Sequence, residues 1–450
     1  MKPHHLKVFL IIAIVLFQSQ IFSPRNVYAW TEQPLISYRI LQVIPEVRNA
    51  EPVVVEDLDS FLIAEEKNLA DLLAQEEKWA RQNLSYYKPL PDVLAFQPTG
   101  YRSDVRQRFC HAIRVNPDFY FSLYLQLVPG EDAGGRTAIT PREITFLKDT
   151  SDWKNTKFAE LIAGESVSSL DVVVTATEEP DFGLDVGLYE DNGTDFGKVY
   201  GFGTQPFGNP NLEYGTQAPF HMGYYHEAGI INTFAEFITQ TYPEYRIHLY
   251  QSLSRFAFET GHNYWGWRFM GMGLQYVIDL NQPYHVSLLP GVSVVKMIWM
   301  SMLDMVGISG PKADAIQLVS NRHTALEKFQ QLILYRAYQD EVNDSPIFVV
   351  LRTIGECPPW NDRMPRDVIT VESCARARET DRLLEETMPE RFVSDPSFEL
   401  GTSPERDDII LRIQEKGGQQ AIDRLTAQVR DLLKPLPSYT CSYVRSIRNK

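Results

Sequence analysis

Gln275-Tyr276-Val277-Ile278-Asp279-Leu280-Asn281-Gln282-Pro283-Tyr284-His285 is the stretch on which the reading of this chain turns. Residues 244–280 keep an apolar helical spacing into it, and Pro283, which lacks a backbone donor, ends the helix. Gln275 and Asp279 stand four apart and share one helix face, while His285 lies just beyond the break. A carboxylate is disfavoured near a helix C-terminus, where the macrodipole is negative, and a bound cation would remove that penalty. Asp279 and His285 can therefore point into one pocket.

Downstream, Asn321-Arg322-His323-Thr324-Ala325-Leu326-Glu327 sets His and Glu four apart on a second helix, expected over residues 312–338. Imidazole nitrogen with carboxylate oxygen suits zinc at roughly 2.0–2.2 Å; an isolated pair of this spacing is equally a surface ion pair. Upstream, residues 178–220 are dense in Gly, Pro, Asp and aromatics with little periodicity, and a loop that long inside a compact domain is usually functional. It holds Asp181 and Asp185 and ends at Phe220-His221, with His226 and Glu227 as neighbours of the site or part of its lining. His111, His248 and His262 read as structural or surface residues, and Tyr264-Trp265-Gly266-Trp267-Arg268-Phe269 reads as core packing.

Helical pattern dominates elsewhere. A short helix ended by Pro45 is expected over 30–47, a long amphipathic helix over 57–83, and further helices over 103–115, 229–242, 292–308 and 404–434. Residues 119–128 fit strand or helix, and 129–135 a turn. Residues 340–403, with Pro358, Pro359, Pro365, Pro389 and Pro396, look irregular. The fold expected is all-α, a mainly helical bundle with a long irregular Gly/Pro-rich insertion. Residues 292–308 are the most apolar of the later segments, but Lys296 and Asp304 interrupt them; they read first as a buried helix and second as an amphipathic surface that meets lipid.

The N-terminus reads as a secretory signal. Lys2 and Lys7 precede an apolar run over 8–17, and Val27-Tyr28-Ala29 offers a cleavage site. The run is shorter than the roughly 20 residues that span a bilayer. Cleavage would make Trp30 the mature N-terminus and place the protein outside the cell or in the periplasm. The chain has 450 residues and a net charge of −15, which moves to about −18 without Lys2, Lys7 and Arg25. Such a surface argues against a stable nucleic-acid partner, because duplex binding uses Lys and Arg against phosphate. Four cysteines in an exported chain suggest disulfides. Cys357 with Cys374 would close a short loop and leave Cys110 with Cys441, though sequence leaves the pairing open.

Taken together, the chain resembles the superfamily of zinc-dependent phospholipases C and single-strand-specific zinc nucleases. Its members begin with Trp, carry His-Tyr-x-x-Asp-Leu-x-Gln-Pro-x-His on a helix, and follow it with His-x-x-x-Glu/Asp. Here Trp30, the stretch 275–285 and His323-x-x-x-Glu327 occur in that order. The resemblance implies a helical zinc phospholipase C/nuclease-type domain over 30–340, with 341–450 as an irregular and helical extension packed on it. It implies one zinc site on His285, His323 and Glu327, and up to three in all. A second would use His221, Asp279 and Asp181, with Asp185 the alternative carboxylate. A third would use the Trp30 terminus with Asp279 bridging. Asp181 would orient or deprotonate the attacking water in phosphodiester hydrolysis. The implied substrates are phospholipid, with peripheral membrane contact, or single-stranded nucleic acid. Two departures stand out: Gln275 and Gln33 occupy positions where the family has histidine, and an amide oxygen is a poorer zinc ligand. They equally fit a degenerate, non-catalytic member that binds a lipid or a partner protein.

Overall fold

The computed structural model describes residues 33–209, 213–340 and 344–449. The signal-like segment 1–29 and Trp30 lie outside the described residues. Helix accounts for 61% and strand for 3%, so the fold class is all-α. In chain order the principal helices are α1 (Gln33–Leu41), α2 (Leu58–Ala64), α3 (Glu66–Asn83), α4 (Val105–Ile113), α5 (Ser169–Ala176), α6 (Pro243–Glu259), α7 (Asn263–Asp279), α8 (Val294–Met305), α9 (Gly310–Gln339), α10 (Pro346–Arg352), α11 (Thr370–Thr387), α12 (Ile409–Leu433) and α13 (Leu436–Arg448). Two short antiparallel sheets join them. β1 (Val53–Val54) pairs with β5 (Ser166–Val167), and β4 (Lys157–Glu160) lies between β2 (Tyr124–Leu127) and β3 (Ala138–Ile139). Of residues 119–128, Tyr124–Leu127 forms strand, with Tyr124 opposite Glu160 and Leu127 opposite Lys157, and the rest is irregular.

The organising element is α7, buried from Tyr264 to Asp279. A helix apolar all round can only sit inside a core. Its glycines let neighbours approach: a Cβ at Gly271 would strike the Val173 carbonyl and Ala176 of α5, and one at Gly273 would strike Tyr443 of α13. The expected helix over 244–280 is in fact a hairpin, α6 and α7. The chain reverses at Gly261, whose φ of +89° lies in the left-handed region that glycine tolerates. The Ser168 side chain caps α5 by accepting from the Asp171 amide. Beyond α5 the chain enters residues 178–189, nearly all buried, so the Gly/Pro-rich segment starts as interior rather than as surface loop.

Other expectations need correction. Pro45 does not end a helix; α1 stops at Leu41 and Pro45 opens the turn Pro45–Arg48, where a missing amide hydrogen costs nothing. Residues 57–83 form two helices, with Asp57 capping α2 and Glu65, at φ −108° and ψ 13°, breaking the run. Residues 229–242 shorten to Gly229–Phe234 and the turn Glu236–Thr239. Residues 340–403 are not irregular throughout: they contain α10 and the 18-residue α11, led in by Pro365 at the start of a helical turn. The disulfide is Cys357–Cys441, and Cys110 and Cys374 are free. Cys110 is sealed in the core on α4, and Cys374 Sγ donates to the Val286 carbonyl at 3.1 Å, so neither faces a partner sulfur. Finally, α8 is not a buried helix. Met297 and Met300 are buried in a small apolar cluster with Tyr224 and Ile231, separate from the main core, while Trp299 and Met302 are exposed.

The C-terminal part shares the main core: Leu436, Tyr443 and Val444 belong to the same buried apolar cluster as Leu35 and Ile40. α13 packs on α1, α6 and α7, and α11 packs on the turn Pro283–Val286.

Candidate metal centre

Three ligand atoms converge where the break after α7 faces the middle of α9. His285 sits on the turn Pro283–Val286, and His323 and Glu327 lie one turn apart on α9. His285 Nε2 is 3.0 Å from His323 Nε2 and 3.3 Å from Glu327 Oε1, and His323 Nε2 is 2.6 Å from the same oxygen. One donor atom from each residue lies within 4.8 Å of the others, a set that can hold a metal ion. Either imidazole can donate to the Glu327 carboxylate, and a cation would accept lone pairs from all three residues. This is no surface ion pair, because Glu327 and His285 are both buried. Burial works against the charged form of Glu327, but His323 and His285 outweigh it and hold the carboxyl down at about 2. It is ready as a ligand at any ordinary pH.

Neighbours fix the orientation of these ligands. The Tyr284 ring stacks on His323 at 5.6 Å between centroids, and its hydroxyl donates to Asp381 of α11 at 2.8 Å. Arg322 donates to the same Asp381 at 2.7 Å and to the Val393 carbonyl. Glu227 accepts from the Leu288 amide and so pins the segment after His285, while His226 bonds Thr370. These two residues are braces of the site, not ligands.

Asp279 connects the triad to a second polar cluster. Its Oδ1 accepts from Gln33 Nε2 at 3.1 Å and lies 3.8 Å from His285 Nδ1; its Oδ2 faces His221 Nδ1 at 2.8 Å. Asp181 Oδ1 accepts from Gln217 Nε2 at 3.1 Å and stands 3.9 Å from His221 Nδ1. Asp185 is committed elsewhere: Arg246 donates to its Oδ1 from Nη2 at 2.6 Å, and Tyr276 donates to its Oδ2 at 2.6 Å. Of the two upstream carboxylates, Asp181 is the less committed: its buried Oδ2 makes no well-formed hydrogen bond, and the Gln275 side chain lies beside it.

The electrostatics ask for positive charge. Burial pushes the Asp181 carboxyl well above its usual range; His221 opposes this, and Asp279 and Glu327 add to it. Burial likewise raises Asp279 to about 7, against His285 and with Glu327. Burial lowers His221, overriding the nearby Asp181 and Asp185. Buried carboxylates normally carry a cation or a proton. Gln33 Oε1 and His221 Nε2 are also buried without a hydrogen-bond partner, and such groups call for water or a ligand to satisfy them.

The structure places His285, His323 and Glu327 together, with Asp279, His221 and Asp181 in a chain of contacts beside them, while Trp30 lies outside the described residues. Gln33 and Gln275, noted only as departures, are both in the cluster. Gln217 and Arg246 were not foreseen. Gln217 lies one turn before His221 and was in principle legible; Arg246 carries no sequence signal, because it reaches Asp185 across 61 residues. His248 and His262 are structural, bound to Glu76 and Glu56.

Fold and site define an all-α protein with a partly buried His/His/carboxylate constellation able to hold a metal ion. No protein-family model matches the chain, and neither does any curated protein or solved structure. The family resemblance rests on its motif residues.

Proposed function

We propose that this chain is an exported zinc-dependent phosphodiesterase that hydrolyses phospholipids in the manner of phospholipases C. The observation that carries the reading is the convergence of His285, His323 and Glu327 beside a second carboxylate cluster that shares Asp279. The residues present fit a zinc ion, which prefers nitrogen and carboxylate oxygen donors. When bound, zinc supplies Lewis-acid polarisation of a phosphoryl oxygen and makes water more acidic. The chain's own groups do the rest. Asp181, with its less committed carboxylate and raised affinity for a proton, accepts a proton from the attacking water. His221 and Asp279, 2.8 Å apart, hold each other in place beside it. The disulfide Cys357–Cys441 suits an oxidising compartment, in keeping with export. Among the described residues no helix is long and apolar enough to cross a membrane.

A second reading has its own support. Gln33 and Gln217 donate to Asp279 and Asp181, so amides stand where further cations would balance charge. That arrangement suits a non-catalytic protein with a single structural metal. Metal counting on the purified chain, with hydrolysis assays on a phosphatidylcholine emulsion and on single-stranded DNA, separates the readings. Two or three zinc ions per chain with lipid turnover supports the phospholipase. DNA cleavage without lipid turnover moves the protein to the nuclease branch. One zinc with neither activity selects the non-catalytic reading, and no bound metal under any condition sinks both. Gln275→His should raise zinc content or activity if the inner cluster is a weakened metal site.

A further inference from the structure

α8 is apolar on both faces, and only one is covered. Met297 and Met300 turn inward onto the small cluster with Tyr224, Ile231 and Ile238. Val295, Trp299, Met302 and Val306 recur at helical spacing along the opposite face. Val295 is 77% exposed, Trp299 53% and Met302 55%; Met305, the last residue of the helix, is exposed too, and Val306 and Ile308 continue the patch past its end. A helix apolar all round belongs inside a core or against lipid, and soluble surfaces rarely leave so large a contiguous apolar area in water.

Charge selects the occupant. The chain as a whole is at −15, yet residues 294–316 hold Lys296 and Lys312 against Asp304 and Asp314 and are neutral. Lys312 Nζ closes on Asp304 at 2.8 Å, so the charges within the patch neutralise one another. A neutral face led by a tryptophan matches the zwitterionic head-group region, where Trp side chains settle. An anionic bilayer would instead be repelled by the acidic remainder of the protein. Position adds a second argument. The chain passes from His285 through α8 to His323, and the cluster beneath α8 includes Met222, next to His221, and Leu288, three residues after His285.

We propose that α8 is a docking helix that seats the protein on a zwitterionic phospholipid surface and so presents the metal centre to that surface. The choice of lipid rests on the phospholipase reading above, but docking itself needs no metal. The test is flotation of the full chain with phosphatidylcholine vesicles, compared with Trp299→Ser/Met302→Ser and, as an independent cut on the same face, Val295→Ser/Met305→Ser. Wild type should float, and each double variant should lose at least tenfold in partition coefficient with its circular dichroism and melting temperature unchanged. Chelator-treated wild type should float as well as untreated protein. Hydrolysis of the soluble diester bis(p-nitrophenyl) phosphate should be the same in wild type and variants. Docking that survives in a chain with no hydrolytic activity keeps this inference and removes the enzyme reading. Equal flotation of wild type and both variants, or none by wild type, overturns the inference. So does self-association of wild type without vesicles that the variants abolish, which would make the patch a contact between copies of this chain.

Discussion

Asp279 touches three side chains, Gln33, His221 and His285, yet burial outweighs His285 and, with Glu327, raises its carboxyl. With a folded value of about 7 and an ordinary value near 3.8, the native chain without metal keeps a proton that the unfolded chain releases. The unfolded state then binds fewer protons, so stability falls as pH rises between about 4 and 7. The loss from pH 5 to 7 should be on the order of 2 kcal/mol, since one proton held only by the native chain is worth about 1.4 kcal/mol for every step of one in pH. Urea unfolding with chelator present measures it, and Asp279→Asn should flatten the slope. Zinc should reverse the sign, because a cation binds the ionised form. A chain whose stability is level over that range, with or without zinc, would exclude Asp279 as the shared group. At this scale the sequence is informative where ligands share a local spacing, as with Asp279–His285 and His323–Glu327. It says nothing of Gln33 against Asp279, because that hydrogen bond joins residues 246 apart.

The placement of Asp181 beside Gln275 depends on how closely α5 lies on α7. Gly271 makes that closeness available, since a side chain there would meet the Val173 carbonyl and Ala176. A backbone carbonyl cannot rotate aside as a side chain can, so α5 would have to move as a unit. Gly271→Val should therefore cost about 1–3 kcal/mol in urea unfolding, the usual range for overpacking a tight core. It should also weaken metal binding at the cluster, read by calorimetric zinc titration. Full stability in the valine variant would show that the two helices separate freely and that the glycine is incidental. The existence of helices was legible from periodicity, but their breaks were not. Residues 244–280 keep one apolar pattern through Gly261, and only the tertiary fold turns that pattern into the α6–α7 hairpin. Residues 370–387 were missed for the opposite reason. α11 is rich in charge, and the prolines on either side of it dominated the local reading.

For the molecule as a whole, the decisive contact is the return of α13 to the central helix. Tyr443 packs where α7 has Gly273, and Arg445 ion-pairs with Glu46 near the start of the described chain at 2.9 Å. Cys357–Cys441 anchors this return, closing a span of 84 residues that contains α11 and α12. The sequence supplied four cysteines and no pairing, because pairing is fixed by which sulfurs the fold brings together. α11 braces the candidate metal site through Asp381, which receives both Tyr284 and Arg322. Opening the disulfide should therefore be felt at the site. Loop closure over a span of this size is worth about 2–5 kcal/mol. Cys357→Ser/Cys441→Ser should lower stability by that amount, in a single transition followed together by circular dichroism and by release of zinc to a chromogenic chelator. Two transitions, with 341–449 melting while zinc stays bound, would instead mean that the C-terminal helices form an independent cap. The shared apolar core, which runs from Leu35 to Ile447 without a seam, argues for one.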